Sequence, residues 1–380
     1  MANVTEAELK QIAKLYLDSN KIAVTNFNVT KDNIIGAVDK IGKMEMIDST
    51  FYDKLTELDG DNLPLGKTIE EYYQDLIKPV DWDRDVDGTK AKRFWSPTYR
   101  PLSYSYSLGR KVIPESIPNG DIDRAVNSVE QSANIIAKMT KRISDSKATY
   151  KYALKRGMIG KLIEKVKQAY TNSATYTNAT TDIVEGNTYK DSTGAYAICV
   201  ESKTHASGDT WQSLIDGGYL VPMQMQQTIA KPVDTATGEA FLVAVKEAVE
   251  PAQDVSEGFS LNGNTIGAEY GLTLYVKQGV MPTVQVQTLA GAINKEELNT
   301  GVKIKVIKDF GANSGSTYAV LVDERGLKLH TDYDAMREDS NGFGDFVSLF
   351  DHTEYTAFIS RNTFVKIFNV NSFADLININ

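Results

Sequence analysis

At 380 residues, with 42% hydrophobic and 24% charged residues, the chain has material for two or three domains and a sizeable core. Its single cysteine, Cys199, excludes intrachain disulfides and cysteine-rich zinc sites, and three histidines (His205, His330, His352) supply little for metal binding. A net charge of −9 argues against a general nucleic-acid binder. No run approaches the roughly 18 apolar residues of a membrane span, and the opening Met-Ala-Asn-Val-Thr-Glu lacks the basic and apolar regions of a signal peptide. The expected setting is therefore a cytoplasm, without membrane contact and with no cofactor.

The first predicted element is a helix with Thr5 as N-cap, Glu8 completing a capping box and Val4 stapled against Leu9. Its apolar stripe of Leu9, Ile12, Ala13 and Tyr16 suits either packing on its own domain or docking on another subunit. A weaker helical region is expected over Asn33–Leu58, then a turn at Asp59-Gly60-Asp61-Asn62.

Beyond Pro64 the pattern becomes that of a long hairpin, Thr68–Ile77 with Leu102–Leu108. In the second strand Leu102, Tyr104, Tyr106 and Leu108 alternate with Ser103, Ser105 and Ser107, which gives one apolar face. The first strand sets Tyr72 and Tyr73 among Glu70, Glu71 and Asp75, and the span between carries Asp81, Asp83, Asp85 and Asp87. An isolated two-stranded ribbon is marginal in water. An arm of roughly 30 Å, at about 3.4 Å per residue, therefore calls for support from another copy of the chain.

After Pro114 and Pro118-Asn119-Gly120 a long helix is predicted from near Asp121 to Ala169, with apolar positions such as Val129, Ile136, Ile143, Leu154, Leu162 and Val166 on one face and a possible break at Ser144-Asp145-Ser146. Its Lys138, Lys141, Arg142, Lys147, Lys151, Lys155, Arg156, Lys161, Lys165 and Lys167 stand against only Asp145 and Glu164. This stretch is therefore +8 and the remainder −17, which together give the net −9. The basic face suits a solvated surface, an acidic partner or nucleic acid. The acidic partner can be the same protein, through the hairpin aspartates, in a head-to-tail lattice.

At Thr171 the chain turns polar and glycine-dotted as far as about Asp234, with a strand expected at Tyr196–Glu201 and exposed loop around it. A helix at Glu239–Glu250, a strand at Leu272–Lys277, a short helix around Val284–Ile293 and a strand at Val302–Lys308 follow. Four apolar runs close the chain: Tyr318–Asp323, Phe346–Phe350, Glu354–Ile359 and Thr363–Phe368. The whole reads as α+β.

Catalytic motifs fail on spacing. Gly66-Lys67-Thr68 resembles the end of a phosphate loop, but Gly60 lies one residue too far upstream and Pro64 removes an amide. Asp83-Arg84-Asp85-Val86-Asp87-Gly88 matches half a calcium loop, whose closing glutamate position is Phe94. Ser144-Asp145-Ser146-Lys147 lacks the companion elements of a serine nucleophile. His352 reads as a turn residue between two strands rather than a base. No catalytic residue is assigned.

The order of parts resembles tailed-bacteriophage major capsid proteins, the fold named after phage Hong Kong ninety-seven. The run Leu63-Pro64-Leu65-Gly66-Lys67-Thr68-Ile69-Glu70-Glu71-Tyr72-Tyr73-Gln74-Asp75 is similar to the start of the extension loop in small podoviruses of the phi twenty-nine type. Tyr318–Asp323, Phe350-Asp351-His352-Thr353-Glu354 and Phe364-Val365-Lys366-Ile367-Phe368 resemble that family's returning strands. The polar stretch 171–234 has no counterpart.

The resemblance implies an N-terminal arm over 1–62 and an extension loop over 63–118. It further implies a peripheral domain with its spine helix over 119–170, an axial domain over 171–315, returning peripheral strands over 316–370 and a tail over 371–380. It implies hexamers and pentamers in an icosahedral shell around double-stranded DNA, assembled in a bacterial cytoplasm and ending in the virion. With only some 60 residues before the hairpin, a separate scaffolding protein is implied, along with portal and decoration proteins. The expected inter-subunit contacts are Tyr72, Tyr73, Asp75, Asp83, Asp85, Asp87, Tyr104, Tyr106, Lys138, Lys141, Arg142, Lys151 and Lys155. An encapsulin-like compartment is the alternative shell; a nucleotide-dependent enzyme or a soluble binding module is the alternative outside it.

Overall fold

The computed structural model describes residues 51–63, 69–74, 99–103, 105–118, 129–178, 181–254, 256–265, 271–281, 302–311 and 314–373. Strands β1 (Asp59–Asn62), β2 (Glu70–Gln74), β3 (Tyr99–Ser103) and β4 (Ser105–Pro118) precede helix α1 (Val129–Thr171). Then come β5 (Ala174–Thr175), β6 (Thr188–Lys190), β7 (Tyr196–Cys199), α2 (Trp211–Asp216), β8 (Leu220–Pro222), β9 (Gln226–Thr228) and α3 (Thr235–Ala252). The last third holds β10 (Ser256–Glu257), β11 (Asn264–Thr265), β12 (Leu272–Lys277), β13 (Lys303–Ile307), β14 (Thr317–Asp323), β15 (Leu327–Asn341), β16 (Phe346–Ile359) and β17 (Val365–Asn369).

Helix α1 runs 43 residues without interruption through Ser144–Ser146, a rod of roughly 65 Å at about 1.5 Å per residue. Where it crosses the body, Gly160 leaves room that a side chain would take, since a Cβ there would strike the Phe310 carbonyl oxygen. Around that crossing Met158, Ile159, Leu162, Ile163 and Val166 pack with Leu55, Leu58, Tyr275, Val320, Val322, Leu329 and Tyr355 in the largest core.

A five-stranded sheet, ordered β13-β12-β14-β17-β9, lies between α1 and α3. Its central strand β14 is buried at every position, the continuous apolar run expected of a strand covered on both faces. Val320 and Val322 turn to the α1 side, while Ala319 and Leu321 turn to Phe241, Val245 and Ala248 of α3. Asp234 caps α3 by accepting from the Thr237 amide, and those hydrogen bonds lower its carboxyl pKa.

A four-stranded sheet, ordered β1-β15-β16-β4, forms the second large layer. β15 and β16 pair antiparallel from Leu327↔Ile359 to Asn341↔Phe346, and β4 runs along the other side of β16 from Phe358↔Ser105 to Phe346↔Pro118. At about 3.4 Å per residue, this three-stranded blade is some 45 Å long.

Several sequence expectations are corrected here. The return strand expected at Leu102–Leu108 is divided: Leu102 and Ser103 pair with β2 as part of β3, whereas residues 105–108 belong to β4, which pairs with β16. Alternation sets which face of a strand is apolar but not which strand pairs with it. Asp59–Asn62 is a parallel strand on β15 rather than a turn. His352 lies inside a 14-residue strand that joins the runs Phe346–Phe350 and Glu354–Ile359, and β15 is a strand that none of the expected runs covers. In the stretch 171–234 the strand expected at Tyr196–Glu201 is present as Tyr196–Cys199, with exposed loop at 184–187 and 201–209, but the stretch also has a core of its own: β5 to β8 form a sheet that, with α2, encloses Tyr176, Ile183, Tyr189, Ala197, Cys199, Leu214 and Leu220. Burial there pushes the Cys199 thiol up to about 11. The five-stranded sheet joins β14 and β17 to β9, β12 and β13, from both sides of residue 315. The expected N-terminal helix, the helix at Val284–Ile293 and the helical region 33–58 up to residue 50 lie outside the described residues; over 51–58 that region holds only a three-residue 3-10 turn, Thr56–Leu58.

Candidate functional site

The basic stretch of α1 is the natural place to look for a contact surface, and part of its charge is turned onto the chain itself. Lys147, Lys151 and Lys155 recur at four-residue spacing, so they share one helix face. Lys147 pairs with Asp334 at 2.5 Å and Asp351 at 3.3 Å, on β15 and β16. Lys151 stands over the Tyr355 ring, 5.4 Å from its centre. Lys155 is fully enclosed and holds Asp53 at 2.5 Å and Asp59 at 2.8 Å. On neighbouring faces Arg156 reaches Asp309 at 3.2 Å and Arg142 reaches Glu115 at 2.7 Å.

Lys155 fixes a short strap. Along residues 51–62, Leu55 and Leu58 are buried, Glu57 takes Lys305 at 3.4 Å and the Tyr275 hydroxyl at 3.2 Å, and the Glu57 carbonyl accepts from Lys328 at 2.8 Å. Burial, reinforced by Glu57, drives the Tyr275 phenol far above its ordinary pKa. Downstream, Glu71 bonds Ser360 and so ties the base of the β2–β3 hairpin to the end of β16.

The blade has an open outer half. From Asp334 onward β15 is exposed at nearly every position, and the turn between β15 and β16 presents Phe343, whose side chain touches nothing. The register puts Val112 beside His352 and Pro114 beside Phe350. Arg110 lies 4.9 Å over the Tyr333 ring while pairing with Glu354 at 2.9 Å, and Arg337 donates to the Tyr333 hydroxyl at 3.3 Å.

The expected contact residues are thus divided. Lys155 is corrected from a surface contact to a buried clamp within the chain, and Lys151 packs on its own Tyr355. Arg142 is largely exposed beside Glu115. Tyr106 belongs to the blade, not the hairpin, and lies 4.9 Å beneath the Lys165 ammonium. Tyr72 and Tyr73 lie on β2, and Lys138 and Lys141 on the first half of α1. Asp75, Asp83, Asp85, Asp87 and Tyr104 lie outside the described residues, as does Gly66-Lys67-Thr68. Among the described residues no group of histidine, cysteine, aspartate and glutamate is placed to hold a metal ion, and no helix is long and apolar enough to cross a membrane.

A family model for the Phi29-like phage major capsid protein matches residues 3–208, more than half of the chain. The chain belongs to that family. It is a phage major capsid protein, and the family places it in the virion. No curated protein matches the capsid chain. Among solved structures it is similar to the capsid of Staphylococcus phage Andhra, at 10% identity and a TM-score of 0.58 over 87% of this chain and 88% of that one. A structure of bacteriophage P68 bearing its head fibre and inner core protein aligns at 11% identity and a TM-score of 0.52, over 87% of this chain and 88% of that one. The capsid of cyanophage P-SCSP1u gives 9% and 0.51, over 86% and 90%. At such identities the likeness speaks to the fold alone. The fold is the mixed helix-and-sheet architecture of phage capsids, and the encapsulin alternative is not favoured.

Proposed function

We propose that this capsid protein assembles into hexamers and pentamers of an icosahedral head that encloses double-stranded DNA. The supporting observation is the family match over residues 3–208. The outer half of the blade suits that role, because its side chains are exposed beyond the core that stabilises the chain. Its work is structural rather than enzymatic. A separate scaffolding protein, a portal and decoration proteins complete the head, and assembly takes place in the bacterial cytoplasm.

The parts keep the labels that the family resemblance suggests: N-terminal arm, extension loop, peripheral domain with spine helix, and axial domain. Tyr72, Tyr73, Asp75, Asp83, Asp85, Asp87 and Tyr104 are proposed to bind a neighbouring subunit through the extension loop. Lys138, Lys141 and Arg142 are proposed to meet either a neighbour or the DNA. Negative-stain microscopy of the purified protein, alone and with the other head proteins, tests the reading. Closed shells are expected; monomers under every condition, or a nucleotide hydrolysis abolished by Lys67→Ala, would overturn it.

A further inference from the structure

The apex of the blade is built to hold one aromatic ring in solvent. Asn341 Oδ1 accepts from the amides of Phe343 at 3.1 Å and Gly344 at 2.9 Å. Asp345 takes a positive φ of 51°, the left-handed turn conformation that aspartate adopts more readily than most non-glycine residues. A Cβ at Gly344 would strike the Phe346 ring, so the tip is packed as well as bonded. The ring that this turn displays, Phe343, is 104% exposed. A rigid loop that projects a bare aromatic side chain has already met the ordering cost of binding.

The same blade carries a surface of matching character. In the register Val112, His352 and Ala335 lie side by side, as do Pro114, Phe350 and Arg337, so these residues share one face of the sheet. The Phe350 and His352 rings lie 6.4 Å apart on it. Val112 is exposed, and Arg110 and Arg337 flank Tyr333. Cations thus surround an apolar and aromatic centre, with Glu354 as the buried counter-charge of Arg110. The outer end has the opposite charge: Asp345 lies in the turn beside Phe343, and Glu338 and Asp339 lie on the exposed end of β15 that leads to it.

We propose that the apex of one copy docks Phe343 onto the Val112–Phe350–His352 face of a second copy, with the apical carboxylates against Arg110 and Arg337. The inference rests on the shell reading above and names one contact within it. Knob and face are different surfaces, so the contact is heterologous. Both lie on the outer half of one blade, with Val112 six residues from Pro118, about 20 Å along the strand.

The test uses heads purified from cells that express the complete head genes. Phe343→Asp is expected to leave the thermal midpoint of the isolated chain unchanged, because the ring touches nothing, and to cut the yield of closed heads by about tenfold or more. Phe343→Tyr should retain most of the yield. In heads carrying Val112→Cys with Phe343→Cys, mild oxidation should link different copies between positions 112 and 343, identified by peptide mass.

Normal head yield from Phe343→Asp would overturn the proposal. So would linkage of Phe343→Cys to itself, which would mean apex-to-apex contact, or to a different virion protein only. Absence of shells from the unaltered chain would instead remove the shell reading, and this contact with it.

Discussion

The two ends of the blade share strands and register yet obey different rules. At the inner end Leu327, Leu329, Tyr355, Ala357 and Ile359 are buried in the main core, and Lys151 and Lys155 of α1 are turned onto the chain's own ring and acids, with Lys147 on Asp334 and Asp351 at the boundary between the ends. At the outer end Met336, Phe343 and Val112 are exposed, and Arg142 of the helix, paired with Glu115, is largely open to solvent. A side chain's contribution here depends on where along the strand it falls, not on its type. Stability resides at the inner end, leaving the outer end free to serve contacts between copies.

The largest effect that separates the ends should come from the clamp. Lys155→Ala leaves Asp53 and Asp59 without their buried cation and should cost about 3–5 kcal/mol, read as a loss in chemical-denaturation stability. A cost below 1 kcal/mol would place Lys155 with Arg142 and blur the division. Next come the apolar positions of β15. Leu329→Ala should lose about 2–5 kcal/mol, whereas Met336→Ala, seven residues along the same strand, should stay within about 0.5 kcal/mol.

Lys366 gives a sharper comparison, since it is a cation in the body without a clamp like that of Lys155. Its Nζ donates to the Gln224 carbonyl at 2.9 Å and lies 5.3 Å over the Phe259 ring. Burial lowers its pKa from 10.5 to about 8, opposed in part by Glu247. Between these values the unfolded chain binds the proton and the folded chain has released it, so the contribution of Lys366 to stability rises with pH through that window. Below pH 8 both states are protonated and the cost of burying the charge is fully present. Lys366→Met should therefore be more stable than the parent by about 1–3 kcal/mol at pH 7, with the advantage vanishing near pH 10.5; thermal melts across that range would show it. The smallest effect is expected of Arg142→Ala, a change of at most about 1 kcal/mol that 0.5 M salt should largely erase.

What the sequence disclosed follows from this division. The long helix, α3, β12 and β14 are buried on one or both faces, so periodicity reports them, and Leu272–Lys277 was placed to the residue. β15 escaped because its outer half, Asp334–Asn341, has no apolar face to alternate. The strap at Asp59–Asn62 has turn chemistry and is held as a strand by partners far along the chain, including His330, whose ring bonds the Asp61 carbonyl at 3.0 Å. A signal for Lys155 was present: it lies three and four residues before Met158 and Ile159, so it falls on the apolar stripe of α1. A cation there must find an acid inside the molecule, and composition alone counted it as surface charge. Phe343 had no signal in periodicity, since its importance lies in being covered by nothing in its own chain.

The central claim, that the outer end of the blade serves other copies while the inner end serves the chain, is tested most directly by amide hydrogen exchange on assembled heads and on unassembled protein. Amides of 327–331 and 353–359 should be protected equally in both, and those of 336–346 should gain protection only on assembly. Equal exchange at 336–346 in the two states would contradict the account.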